Sequence, residues 1–203
     1  MSKENNGEIL LLTGPHGAGK DSVEKSLRAT DASMERIVRH ITRKRANEEV
    51  DGLDYHFVSR HEFRNIIEDD GLIEYAEYPD VLSGTTYRAI NEALCDGGRA
   101  TLTLNMEDAL PLMDKINCLG YVATTYFISP VSFEDFCGEP QKYLDALRSR
   151  MEVRGRPDDR IENKIAKAAF YRTLYFKHER SLHYISNIDG GLDEAVTAVR
   201  STF

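Results

Sequence analysis

The sequence predicts an α/β fold in three layers, a parallel sheet between helices, with one small α+β insertion and a short lid. Three observations lead there. Apolar strand candidates alternate with helix-like stretches long enough for right-handed crossovers. A glycine-rich turn, Gly14-Pro15-His16-Gly17-Ala18-Gly19-Lys20, directly follows the apolar run Ile9-Leu10-Leu11-Leu12-Thr13. Residues 40–83 then break the alternation with polar and aromatic segments of strand character.

The first strand is expected to end at Thr13 and a helix to begin near Lys20, so the glycine-rich turn joins strand to helix. It fits G-x-x-x-x-G-K, the pattern of a P-loop. Glycines at 14, 17 and 19 let successive backbone N–H groups turn inward around a phosphate without Cβ clashes. Lys20 places a point charge on the β- and γ-phosphates. Gly14, Pro15, His16, Gly17, Ala18, Gly19, Lys20, Asp21 and Ser22 are therefore the expected ATP site. The position after the lysine ordinarily brings a hydroxyl to Mg²⁺. Here it is Asp21, and either Asp21 meets the ion, directly or through water, or Ser22 compensates.

Arg36-Ile37-Val38-Arg39 reads as the second strand. Thr101-Leu102-Thr103-Leu104 reads as the third, after an amphipathic run from Thr86 to Asp96 and a Gly97-Gly98 stop. Val122-Ala123-Thr124-Thr125-Tyr126-Phe127-Ile128, β-branched and aromatic, is the expected central strand. Tyr184-Ile185-Ser186 is the last, before a helix from about Leu192 to Arg200. Ligands of such sheets bind at the carboxyl ends of the strands, where the glycine-rich turn lies. Within the insertion, 54–58 and 72–78 are strand-like. Between them a short helix starts at Ser59, with Glu62 three residues on as its capping-box partner. Residues 153–160, rich in arginine, proline and aspartate, read as a charged flap between two helical stretches.

The 203 residues suffice for one core carrying small inserted subdomains. A net charge of −8 argues against nonspecific binding to nucleic acid or an anionic membrane. No apolar run approaches bilayer-spanning length, and the polar start MSKENNGE has no apolar signal region, so the expected location is cytoplasmic. Cys95, Cys118 and Cys137 are odd in number, without metal-type spacing, and read as structural thiols in a reducing compartment. His40, His56, His61, His178 and His183 show no metal or catalytic spacing either, whereas His16 lies inside the phosphate turn. Nothing in the sequence fixes the oligomeric state.

A P-loop core with an insertion after the second strand and a late charged flap has the layout of a nucleoside monophosphate kinase. Thr42-Arg43, the block from Glu49 to Ser59, Phe63, and Ile73-Glu74-Tyr75-Ala76-Glu77-Tyr78 resemble the GMP-binding domain of guanylate kinases. Gly84-Thr85 resembles the pair that closes that domain. Arg150-Met151-Glu152-Val153-Arg154-Gly155 resembles the family's lid, and Asn187-Ile188-Asp189 the stretch near its adenine site. The resemblance runs in order over most of the chain, with residues 137–146 lacking a counterpart. It implies a kinase core over 1–38 and 84–203, an acceptor-binding insertion over 39–83 and a lid over 153–161. It also implies small-molecule substrates, ATP with GMP or dGMP, and Mg²⁺.

Phosphoryl transfer brings two anionic substrates together, so positive charge must converge on them. Arg43 is placed to hold the acceptor phosphate in a bidentate fork, with the Tyr55 hydroxyl donating to the same group. Glu74 accepts from adjacent N–H groups, a geometry that guanine N1 and N2 offer and adenine does not. Thr85 adds a hydrogen bond to the base. Arg150 and Arg154, four apart, are expected on one helical face, where both stabilise the transferring group. With Lys20 and Arg43 they form the expected catalytic set.

Several family positions are changed. The second phosphate arginine falls on Ala46, with Arg45 adjacent. The second phosphate tyrosine falls on Ser83, and a serine that helps read guanine falls on Arg39. Two strand-end aspartates become Thr103 and Asn105, and a helix arginine becomes Lys164. The implied acceptor residues are thus Arg39, Arg43, Arg45, Tyr55, Glu74, Ser83, Thr85 and Asn105, with Asn187 on the ATP side. Gly19-Lys20-Asp21-Ser22, Ile41-Thr42-Arg43 and Arg154-Gly155-Arg156 also resemble ribose 1,5-bisphosphate phosphokinases. The acceptor at this point is GMP or another small phosphorylated molecule. A noncatalytic phospho-ligand domain is the third reading, one that typically abandons the P-loop lysine retained here as Lys20.

Overall fold

A computed structural model describes residues 7–155 and 158–202. Five parallel strands form the central sheet: β1 (Glu8–Thr13), β2 (Met34–Arg36), β7 (Arg99–Thr103), β8 (Val122–Ser129) and β9 (His183–Ser186), in the order β2-β7-β1-β8-β9. β1 is the middle strand and is buried on both faces, which is why it reads as a continuous apolar run rather than an alternating one. Leu10 and Leu12 pack toward α1 (Lys20–Thr30), α6 (Pro140–Val153), α7 (Asp158–His178) and α8 (Leu192–Arg200). Ile9 and Leu11 join the opposite cluster, with Ile90 of α3 (Tyr87–Ala93) and Leu112 and Ile116 of α4 (Met106–Cys118). One strand thus fastens both helical layers, and its carboxyl end presents the phosphate turn.

The second strand lies earlier than expected, over Met34–Arg36. The Ile37 N–H still donates to the Thr101 carbonyl at 2.9 Å, and the chain then departs, so Val38 and Arg39 lead out of the sheet. Their apolar-basic pattern imitates a strand, but the tertiary path turns them into the stalk of the insertion.

The insertion is its own four-stranded sheet in the order β4-β3-β6-β5, built from β3 (His40–Ile41), β4 (His56–Phe57), β5 (Leu72–Glu77) and β6 (Leu82–Thr86), with α2 (Arg60–Glu68). The capping box at its start is present. Ser59 Oγ accepts from the Glu62 N–H at 3.1 Å, and the Glu62 carboxylate accepts from the Ser59 N–H at 2.7 Å. The strand expected over 54–58 shrinks to His56–Phe57. β6, Leu-Ser-Gly-Thr-Thr, has no strand signature in sequence yet is buried throughout. Gly84 permits this, since a Cβ there would lie 2.7 Å from the Glu74 carbonyl oxygen of β5. An irregularity between Leu72 and Glu74 sets the register that puts Glu74 opposite Thr85.

Residues 137–146 fall at the end of α5 (Phe133–Gly138) and the start of α6. They supply Tyr143, whose ring meets Phe136 edge-on at 5.0 Å within a cluster that includes Phe127 and Tyr175. α6 stops at Val153, so Arg154 is the helix cap rather than a second residue on the face of Arg150. The expected flap is narrower than 153–160, because α7 begins at Asp158. Arg156 and Pro157, which the flap and lid readings include, lie outside the described residues. All three cysteines are free and exposed, which corrects the expectation of packed structural thiols. Among the described residues no helix is long and apolar enough to cross a membrane.

Candidate active site

The phosphate turn packs so tightly against its neighbours that side chains are excluded. Gly14 and Gly19 have φ of 136° and 90°. A Cβ on them would lie 2.3 Å from the Ile128 carbonyl oxygen and 2.1 Å from Asn187 Nδ2. Lys20 Nζ donates to the carbonyls of Gly14 and Pro15 at 2.8 and 3.0 Å, which holds the ammonium against the loop. Burial pulls its pKa down to about 8. Asp21 opposes that shift, while Lys164, Lys167 and Arg154 add to it. The same influences identify what surrounds Lys20: cations converging from α7 and from the end of α6.

On the far side of the turn, Asn187 Nδ2 donates to the Ala18 carbonyl at 2.8 Å. Arg150 donates to the carbonyls of Asn187 (2.6 Å), Gly17 and Ala18 (both 3.3 Å), and to Asp189 at 2.8 Å. Gly17, Arg150, Asn187 and Asp189 border a cavity of about 430 Å³ together with Gly19, Ser22 and Arg154. Arg150 therefore braces the turn through its main-chain carbonyls.

A second cavity, about 470 Å³, gathers most of the remaining site residues. His16, Lys20, Asp21, Ser22, Arg39, Arg43, Tyr55, Ser83, Asn105 and Arg154 all border it. Arg43 forms an ion pair with Glu49, and its guanidinium lies 5.2 Å from the Tyr55 ring centre and 5.5 Å from that of Phe57. Glu49 accepts also from the Ala46 N–H at 2.8 Å, and the arginine beside it holds its carboxyl below the usual range. Asn105 Nδ2 donates to the Tyr78 hydroxyl at 2.7 Å.

Glu74 and Thr85 do not border this cavity, nor does Arg45, which is exposed. Glu74 accepts from Arg39 Nη2 at 2.9 and 3.1 Å and from Thr85 Oγ1 at 2.6 Å. It opens instead onto a smaller cavity shared with Asp108 and Lys115. Burial raises the Asp108 pKa, and the nearby Glu74 carboxylate raises it further against the pull of Arg39.

No cluster of three or more His, Cys, Asp or Glu side chains suited to a metal occurs among the described residues. Asp21 and Ser22, both exposed at the second cavity, offer one carboxylate and one hydroxyl. That donor set fits Mg²⁺ held largely by nucleotide phosphates and water, the usual manner for this ion.

Of the residues at the cavity, Lys167 has no place in the sequence reading, and Tyr78 stands there only as the last residue of the motif 73–78, without a role. Lys167 borders it beside Lys164, and its ammonium pairs with Glu107 at 2.8 Å and sits 5.3 Å from the Tyr171 ring centre. Tyr78 also borders it. The three-residue spacing of the lysines on α7 was a readable signal. The motif 73–78 did not show that Tyr78 borders the cavity, since its position depends on how β5 hands over to β6.

A model of the guanylate kinase family matches residues 6–154. The chain belongs to the guanylate kinase family. Among its relatives, the guanylate kinase of Lactiplantibacillus plantarum is 35% identical over 170 residues, covering 83% of this chain and 74% of the relative. That of Latilactobacillus sakei is 31% identical over 167 residues, covering 81% and 75%. That of Caldanaerobacter subterraneus is 28% identical over 201 residues, covering 99% and 88%. Among solved structures, guanylate kinase from Anaplasma phagocytophilum superposes with a TM-score of 0.65 at 21% identity, covering 97% of this chain and 86% of that one. This last likeness speaks for the shared fold: a parallel sheet with flanking helices. Family membership accounts for the order of the elements.

Proposed function

We propose that the chain is an ATP-dependent kinase that phosphorylates GMP or dGMP to the diphosphate. The observation that carries this is a single cavity lined both by Lys20 with the phosphate turn and by Arg43 with Tyr55. A donor phosphate cradled by residues 14–22 and an acceptor phosphate gripped by Arg43 and Tyr55 would face each other across that space. Lys20, Arg154 and Lys164 border the same cavity and would offset the charge that spreads over the transferring phosphoryl. Arg150 and Asn187 would shape the adenine side through their hold on the turn. When Mg²⁺ is bound it neutralises phosphate charge, and Asp21 and Ser22 are the residues that would hold it. Residues 39–83 act in this reading as the acceptor-binding unit and 153–161 as the lid over the donor.

The test is a coupled ADP-release assay with MgATP and GMP, dGMP, AMP, UMP, CMP, TMP and ribose 1,5-bisphosphate as acceptors. GMP and dGMP are expected to be turned over best. Turnover of ribose 1,5-bisphosphate with GMP inert would overturn the acceptor while keeping the reaction. Absence of turnover with every acceptor would make the chain a binding domain.

A further inference from the structure

Among the described residues, six cationic side chains line the cavity between the phosphate turn and Arg43, against one carboxylate, Asp21. Lys20 registers that crowding. Burial first, and then the charges of Lys164, Lys167 and Arg154, disfavour its charged form against the pull of Asp21. Like charges gathered at such a cost suit a polyanionic occupant.

Lys167 stands at the junction of two spaces. It borders this cavity and also a narrow one beside Pro15 and His16 of the turn, three residues along α7 from Lys164. Its counter-ion faces elsewhere. Glu107, in the first turn of α4, does not line the cleft and opens instead on the cavity between β5 and α4 that Glu74 and Asp108 border. The Lys167–Glu107 pair is 2.8 Å long and partly exposed on both sides, at 32% and 38%. A pair so exposed holds its lysine weakly, and the four-carbon stem is flexible.

We infer that Lys167 is a further catalytic residue, held on Glu107 while the cleft is empty and drawn onto the transferring phosphoryl once both substrates are in place. Glu107 is then a restraint that competes with the substrates for this ammonium. The inference rests on the proposed reading of the cleft as a phosphoryl-transfer site and adds a cation to its machinery. Charge spreads over the equatorial oxygens as the phosphoryl moves, and a mobile point charge can follow it. The alternative is a plain structural tie between α7 and α4. The two differ in sign: losing either partner of a tie is harmful, whereas losing a restraint strengthens what it restrained.

The experiment uses Lys167→Met, which keeps the stem near the Tyr171 ring without the charge, Lys167→Arg, and Glu107→Gln, which keeps the shape without the charge. Initial rates are taken with MgATP and whichever acceptor is turned over fastest, and the Kd of inorganic triphosphate is measured by titration calorimetry. Lys167→Met is expected to lower kcat about thirtyfold with the acceptor KM changed by less than about threefold, and to raise the triphosphate Kd about threefold. Lys167→Arg should restore the triphosphate affinity. Glu107→Gln should lower the triphosphate Kd about two- to fivefold, the hold of a partly exposed pair. A kcat loss below about tenfold in Lys167→Met, or triphosphate bound no tighter by Glu107→Gln than by wild type, overturns the inference. The Glu107→Gln titration decides the matter even if Lys167→Met fails to fold. Turnover with the two Kd values shifted in the same direction sinks this inference alone. Opposite Kd shifts with no acceptor turned over sink the proposed function and leave the restrained phosphate-binding cation standing.

Discussion

The donor and acceptor ends of the cleft are built by different means. At the proposed donor end, one contiguous run from Gly14 to Ser22 forms the turn. Its supports reach it by ordinary hydrogen bonds to main-chain carbonyls, as Asn187 does to Ala18 and Arg150 to Gly17 and Ala18. At the proposed acceptor end the cations come from separate strands and loops, and two of them are already matched to carboxylates, Arg43 to Glu49 and Arg39 to Glu74. The donor end is a preformed cradle. The acceptor end is a set of ion pairs, and binding a phosphate or a base there means exchanging or adding to partners already present. Residues that act mainly in the transition state should therefore show large effects at the donor end, and residues that compete for a cation should show small ones at the acceptor end.

The sharpest way to break that contrast is Lys20→Ala. Removing a charge that acts mainly on the transferring phosphoryl is expected to lower kcat by about three orders of magnitude or more in the ADP-release assay. A variant keeping more than about a tenth of wild-type kcat would break the assignment, since a tenfold loss is only about 1.4 kcal/mol.

Arg43→Ala comes next. Losing a bidentate grip on an anion is expected to lower kcat/KM for the acceptor by about a hundredfold, with the Kd for ATP unchanged by titration. Equal weakening of ATP and acceptor would erase the division between the two ends.

Protonation of Lys20 gives a smaller, pH-dependent effect. Its pKa is lowered to about 8 in the ligand-free protein, and ATP favours the charged form, so binding must restore a proton above that pH. ATP Kd should be nearly flat below pH 8 and rise about fivefold between pH 8 and 9, as the linkage requires for one proton. Titration calorimetry on wild type and Lys20→Met checks this, the variant losing the pH-dependent rise. The same group has the opposite sign for stability. The unfolded chain holds the proton more tightly, so stability from this residue grows as pH rises from about 8 toward the ordinary lysine value of 10.5.

The smallest expected effect is Glu49→Gln. The amide keeps an acceptor for the Ala46 N–H but frees Arg43 of its counter-ion, so KM for the acceptor should fall about two- to fourfold, as suits a partly exposed pair. A KM that rises instead would mean Glu49 positions Arg43 rather than competing for it.

What could be read from the chain follows the same division. The P-loop, the strand before it, the helix after it and the Ser59–Glu62 capping box are signals spanning a few residues, and each appears where the sequence puts it. The second strand, displaced from 36–39 to Met34–Arg36, failed because an apolar-basic alternation looks the same on a sheet edge and in a stalk. β6 was missed because Gly84 and the threonines beside it are poor strand formers, and pairing with β5 overrides that propensity. Lys167 was legible in principle from helical spacing, whereas the place of Tyr78 at the cavity was not legible from the motif that contains it.

The amino-acid sequence by itself marked the phosphate turn and pointed to the family, because a loop that cradles phosphates needs its glycines and lysine within one short run, here Gly14 to Lys20. Only the tertiary structure decided what faces the acceptor. Arg39 and Glu74 are 35 positions apart, and whether the carboxylate or the guanidinium borders the cavity depends on how β5 pairs with β6 and on where residue 39 leaves the central sheet. A charged pair satisfies itself before it satisfies a ligand, and a sequence lists both partners without saying which one stands in front.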